Sequence, residues 1–363
     1  MGYIPAQNAR MVFTTVLANI FEDFIEAPSF LRSFAKEKVY RTKTVQLLAR
    51  RSTEKVAVDI IRGDKGNYNK MDRFTGKEYL PPYYKELISI SALDIYDIPF
   101  YSGDKYNTAQ IEALAMEAAR GLSEIKKKVD RAIELQMSQV FETGIVLIKN
   151  GDSIDYKRDS SMIEVLAGGD LWDAASVDII KFFEDKAALL RSKGKVSGGE
   201  TIDVVMGMAA WQAFRKNAYI IDGENLYVQQ LVDLSKPRVN STGGSYKGTL
   251  KAGAYSFDIW TYDEVYDNAS DVSTRYFNTK FCALIPKSFQ AEISFAQVPK
   301  LPDFIMQDPR SRKIRQSLRN KMTGFDIFDS VNAEDEIYNV GIKAAPLAQL
   351  ISVDRIYTAQ VLA

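Results

Sequence analysis

Residues 108–143 read TAQIEALAMEAARGLSEIKKKVDRAIELQMSQVFET. Ile111, Ala115, Ala118, Leu122, Ile125, Val129, Ala132, Gln136 and Val140 recur at alternating steps of four and three, which predicts one narrow apolar stripe on a helix over 108–143. Asn107 followed by Gln110 makes a plausible capping pair. The other face carries Glu117, Arg120, Glu124, Lys127, Lys128, Asp130, Arg131 and Glu134 and is expected to meet solvent. At about 1.5 Å per residue such a helix runs roughly 54 Å. A compact globule of this size is roughly 50 Å across. One unbroken helix therefore implies a flattened or elongated body, and a break at Gly121 would give two shorter helices instead.

Downstream, Gly144-Ile-Val-Leu-Ile-Lys149, Asn150-Gly151 and Ser153-Ile-Asp-Tyr-Lys157 spell a β-hairpin with the Asn-Gly turn signal. An α/β region follows the Gly168-Gly169 break. It has a helix around 177–190, a strand Ile202-Asp-Val-Val-Met-Gly-Met208 and a helix around Ala209-Ala-Trp-Gln-Ala-Phe-Arg215. Short strands are expected at Phe257–Trp260, Phe281–Ile285 and between Ile351 and Leu362.

Upstream, two strand-like runs, Lys55–Ile61 and Leu87–Ser91, bracket the polar stretch Gly63–Gly76 and the connector Tyr79-Leu-Pro-Pro-Tyr-Tyr84. This describes an extended two-stranded excursion, marginal in isolation and needing a surface to lie on. The first fifty residues read as an arm. Phe13, Val16, Leu17, Ile20, Phe21 and Phe24 keep helical spacing, and Phe30-Leu-Arg-Ser-Phe34 follows Pro28. Such a stripe covers either its own body or a neighbouring subunit, and the sequence leaves both open.

The composition narrows the chemistry. The chain has 363 residues, 47 Lys+Arg against 47 Asp+Glu, no His and one Cys. Zero net charge argues against a nucleic-acid binder that relies on excess cations. Without His, the usual general base and commonest metal ligand are missing. One Cys allows no internal disulfide and no Cys-cluster metal site. No segment is apolar enough to span a bilayer, the start lacks a signal-peptide pattern, and Ala6 stands where myristoylation needs Ser or Thr.

Four features carry candidate chemistry, and each has a plain structural reading. Gly243–Thr249 nearly spells a phosphate loop but has Thr249 where the Lys should stand, so a surface turn is expected. Asp263, Glu264, Asp267 and Asp271 lack the spacing of a calcium loop. Cys282 sits in an apolar run and reads as a buried small hydrophobe. Arg310, Arg312, Lys313, Arg315, Arg319 and Lys321 precede Asp326, Asp329, Glu334, Asp335 and Glu336. These make a phosphate-contacting patch, a solvated face, or opposite-sign surfaces that meet between copies. No catalytic, cofactor-binding or metal-ligating residue is assigned. A carboxylate-only hydrolase or transferase is the rival from another class.

Short motifs along most of the chain resemble, in order, the major capsid proteins of tailed bacteriophages of the lambda type, the capsid protein E family. They are Phe30-Leu-Arg32 before Phe34, Glu37-Lys-Val-Tyr40, Tyr79-Leu-Pro-Pro-Tyr-Tyr-Lys85, Ile202-Asp-Val-Val with Trp211-Gln-Ala-Phe-Arg215, and Ala344-Ala-Pro-Leu347 with Gln360-Val-Leu-Ala363. The stretch Arg310 to Lys321 has no counterpart in the family pattern. The resemblance implies an α+β fold of the Hong Kong 97 type. Its parts would be an N-terminal arm (1–50), a two-stranded extension loop (51–100) and a peripheral domain (101–169) with the spine helix 108–143. An axial domain (170–340), whose later strands return to the peripheral domain, and C-terminal strands (341–363) would complete it.

The implied function is mechanical: self-assembly into hexamers and pentamers of an icosahedral head in the virion, built in the host cytoplasm, with no cofactor. Packaged double-stranded DNA would be touched weakly and non-specifically. Scaffolding, portal and decoration proteins are the further partners such a protein takes. The alternative with the same fold is an encapsulin-like shell of a cellular compartment.

Overall fold

The computed structural model describes residues 27–49, 75–91, 108–148, 152–174, 176–225, 232–233, 238–239, 242–268, 270–299, 324–332 and 337–363. Helix α1, Thr108–Glu142, is unbroken. Gly121 is no break: a Cβ there would stand 2.6 Å from Ile88 Cδ1, so the missing side chain lets a strand approach the helix closely. The helix ends at Gly144, whose φ of 72° suits glycine and whose N–H reaches the Val140 carbonyl at 3.1 Å.

The stripe is buried as expected at Ala115, Ala118, Leu122, Ile125, Val129 and Val140. The toward-core face also takes in Ile133, Met137 and Phe141, while Ala132 is only half-buried. Asp130 and Glu134, expected in water, are buried. Their partners are Leu31, Arg32 and Tyr262, distant in sequence, together with Lys126 one turn before Asp130, so the reason is mainly tertiary.

Strand Tyr84–Ser91 lies on α1 with Ile337–Ala344 and Phe325–Asn332 as a three-stranded antiparallel sheet in the order 325–332, 337–344, 84–91. A second three-stranded sheet joins Ala35–Val39, parallel, to Ala291–Phe295, which pairs antiparallel with Pro346–Leu350. The expected excursion is therefore re-bounded. Val45–Ala49 pairs with Thr75–Tyr79 as a separate ribbon, Leu87–Ser91 belongs to the sheet on α1, and Lys55–Ile61 lies outside the described residues.

The large sheet is mixed, in the order 238–239, 244–252, 255–262, 201–206, 281–286, 357–360, 163–165, with 232–233 also paired to 244–252. Its central strands alternate between two cores, as pleating requires. Ile202, Val204, Met206, Cys282 and Leu284 face one side. Val205, Ala283 and Ile285 face the other, toward α1. The first side is covered by α2 (Ile179–Gly194), α3 (Met208–Lys216) and α4 (Ala218–Asn225). Asp178 caps α2 by accepting the Lys181 N–H at 3.0 Å. Trp172, Phe183 and Phe214 fill the space beneath the helices.

Two segments cross the expected boundaries: Ile163–Val165 and Tyr357–Gln360 both join the large sheet. The hairpin Ile145–Leu147 with Ser153–Asp155 forms as expected, and its Asn150-Gly151 tip lies outside the described residues.

Candidate assembly surfaces

The described ends of the expected arm and of the expected loop differ in how each is rooted on this body. The arm is rooted on α1. The Glu134 carboxylate accepts the backbone N–H of Leu31 at 2.8 Å, that of Arg32 at 3.0 Å and the Tyr262 hydroxyl at 2.9 Å. Burial pushes the Glu134 carboxyl up to about 7, and the three donors with the Arg32 guanidinium only partly offset this. Arg32 in turn donates to Asp130 at 2.6 Å and to Glu37 at 2.7 Å, and Lys126 holds the second Asp130 oxygen at 2.7 Å.

Phe30 packs on Trp260 and Tyr262 with ring centroids 5.4 and 5.5 Å away, and Gly244 leaves room for it. The Phe30–Phe34 patch thus covers its own body, while the stripe Phe13–Phe24, for which both readings were open, lies outside the described residues. The arm expected over 1–50 is docked on its own body through residues 27–39, and residues 1–26 lie outside the described residues.

At the C-terminus of α1, about two turns past Glu134, the buried Arg158 guanidinium donates to the carbonyls of Phe141 (2.9 Å), Met162 (3.2 Å) and Ile356 (3.0 Å) and to Thr358 Oγ1 at 3.1 Å. A cation at a helix C-terminus is favoured by the aligned peptide dipoles. Burial lowers its pKa to about 9. Gln136, the one polar member of the stripe, closes a sheet edge. Its amide donates to the Pro346 carbonyl (3.4 Å) and accepts from the Ala348 N–H (3.0 Å), as a neighbouring strand would.

The loop is rooted more lightly. Val45 is buried against Ala296, Val298 and Ala345. Beyond it the strands Val45–Ala49 and Thr75–Tyr79 pair only with each other among the described residues. Glu78 ties them across at the surface through Gln46 at 3.2 Å. Where the ribbon returns to the body, Leu80, Tyr83 and Leu87 are exposed. Tyr79, at its base, packs against the main core; beyond that base a two-stranded ribbon with no second layer is marginal alone.

The other candidates resolve as structure. Gly243–Thr249 forms most of the Gly244–Ala252 strand with an irregularity at Tyr246/Gly248, not the surface turn expected. Asp263 pairs with Arg275 at 2.6 Å at the mouth of a small hairpin, Val265–Asp267 with Ser273–Arg275. No cluster of potential metal ligands exists among the described residues. The Cys282 thiol is fully buried, and burial raises its pKa. Asp326 is buried and lies opposite Lys343 in the ladder. Arg310–Lys321 and Glu334–Glu336 lie outside the described residues.

Sequence reasoning missed Glu134, Asp130 and Arg158. The only signal for the first two was a carboxylate pair four residues apart beside a buried run. Among the described residues no helix is long and apolar enough to cross a membrane.

A long helix crossed by a three-stranded sheet, a large mixed sheet layered with helices, and a rooted ribbon define the class. This is the Hong Kong 97-type capsid fold. The fold is similar to that of a solved protein described as a prophage capsid protein from E. coli CFT073, with TM-score 0.61, 12% identity and 100% of both chains covered. It is also similar to a phage-related protein from Bordetella bronchiseptica RB50, with TM-score 0.51, 9% identity and 96% of each chain covered.

The family described as Phage major capsid protein E matches residues 13–299, and the chain belongs to that family. It is a structural component of the virion that builds the icosahedral head, not an enzyme. No curated protein matches the sequence at a significant level. An encapsulin complex from Synechococcus elongatus PCC 7942 is a distant likeness, with TM-score 0.43, 8% identity and 93% and 88% of the two chains covered. At that distance it carries no argument, and the cellular-compartment alternative gives way to the phage head.

Proposed function

We propose that the subunit works as a tile whose extension loop, with its tip in residues 50–74, binds a neighbouring copy in hexamers and pentamers. The observation that carries this reading is the ribbon at its root: two strands that among the described residues pair only with each other and meet the body only at their base, through Val45 and Tyr79. In the same reading α1 is the spine of the peripheral domain, joined by the strands 291–295, 325–332 and 337–344. The large sheet with α2, α3 and α4 is the axial domain. Many weak inter-subunit contacts, repeated around a closed shell, add to an avidity that one pairwise contact lacks.

The packaged genome is touched weakly, since 47 cationic and 47 anionic side chains leave no net attraction for phosphate. Portal, scaffolding and decoration proteins are the further partners this role admits. The test is electron microscopy of purified particles at a resolution that traces the chain. Density for residues 50–74 over an adjacent subunit supports the reading, and density folded back on its own body overturns it.

A further inference from the structure

The α1-facing side of the large sheet is not wholly covered. A cavity of about 460 Å³ lies over Trp260, Asp203 and Ile285, walled by Phe30, Phe34 and Phe289. Its polar floor is already satisfied. Asp203 holds Lys287 at 2.5 Å and accepts the Trp260 indole N–H at 3.2 Å. With its buried carboxylate so paired and its walls aromatic, the cavity suits an apolar occupant.

The arm begins at its rim. Ser29 N–H donates to the carbonyl of Thr242, a lining residue, at 3.1 Å, and Ala27 is buried. Before Ala27 come Phe13, Val16, Leu17, Ile20, Phe21 and Phe24. At no more than about 3.6 Å per residue, Phe24 reaches roughly 10 Å from Ala27 and Phe21 roughly 20 Å.

We propose that this cavity is the docking site for the apolar stripe of the same chain's arm, with Phe21 and Phe24 as the inserted side chains. The short tether raises the local concentration of the subunit's own stripe to the millimolar range or above, which favours it over the arm of another copy. This inference stands apart from the loop reading, because it concerns a contact within one subunit.

The test is oxidative cross-linking of the full chain in assembled particles, with Phe21→Cys paired to Thr242→Cys. The native Cys282 is buried and does not compete. The same pair is made in a second background carrying Ile20→Asp and Phe24→Asp, which makes the stripe polar. A cross-link within one chain, reduced at least fivefold in the polar background, is expected. A cross-linked dimer shows that the cavity takes another copy's arm and overturns the proposal. So does an equal yield in both backgrounds, which reports the tether alone, or no cross-link at all.

Discussion

Glu134 is the residue on which the arm root turns. Its carboxyl is raised to about 7 by burial, against an ordinary value of 4.5. A carboxyl held above its unfolded value binds its proton longer in the native state, so its contribution to stability is present at low pH and is lost as pH rises from about 4.5 through about 7. Glu142, about two turns on at the C-terminus of the same helix, is also raised to about 7 by burial; it accepts the Asn278 N–H at 2.6 Å. The Glu134 share is on the order of 3 kcal/mol. Urea denaturation at pH 5 and pH 8 checks it: Glu134→Gln should lose that part of the wild-type pH slope and keep the part due to Glu142. An unchanged slope would show that the carboxyl stays ionised throughout. Gln136 gives a second prediction. Gln136→Met keeps the volume but leaves the buried Ala348 N–H without its acceptor, and should lower stability by about 1–3 kcal/mol in the same assay.

Helix α1 shows how far sequence reaches at the level of elements. The stripe was legible because burial against one continuous core imposes a period, and the hairpin after it was legible because Asn-Gly turns are local. Gly121 misleads, since a glycine that admits Ile88 looks like one that ends a helix. Glu134 and Asp130 were illegible for the converse reason. Their partners Leu31, Arg32 and Tyr262 lie about a hundred residues away or more, and no local spacing encodes them. The excursion was legible as a two-stranded feature but not in its pairing, because Leu87–Ser91 finds its partner strand only at Ile337–Ala344. That the chain is not an enzyme was legible because the absence of His and of Cys pairs is compositional. At this scale Ala118→Asp and Ile125→Asp each place an unpaired charge in the stripe, where both native residues are buried. Each should cost several kcal/mol and leave little soluble, folded chain, measured by circular dichroism and yield. Assembly at wild-type yield from both would refute the packing of α1.

The whole molecule divides its stability unevenly. Two cores share the large sheet, and the arm root, Arg158 and Gln136 tie distant segments to α1. The ribbon Val45–Ala49 with Thr75–Tyr79 draws on this only at its base, through Tyr79 and Val45. Removing the tip should therefore leave the body's stability unchanged within about 0.5 kcal/mol, while neighbouring tiles lose a contact repeated at every junction. The most direct measurement is sedimentation velocity of a chain in which residues 52–72 are replaced by a short Gly-Ser turn, run where the full chain forms shells. Folded species no larger than a capsomer are the predicted result. Shell-sized particles at the full chain's yield would contradict the central claim that these subunits are held together through their loops.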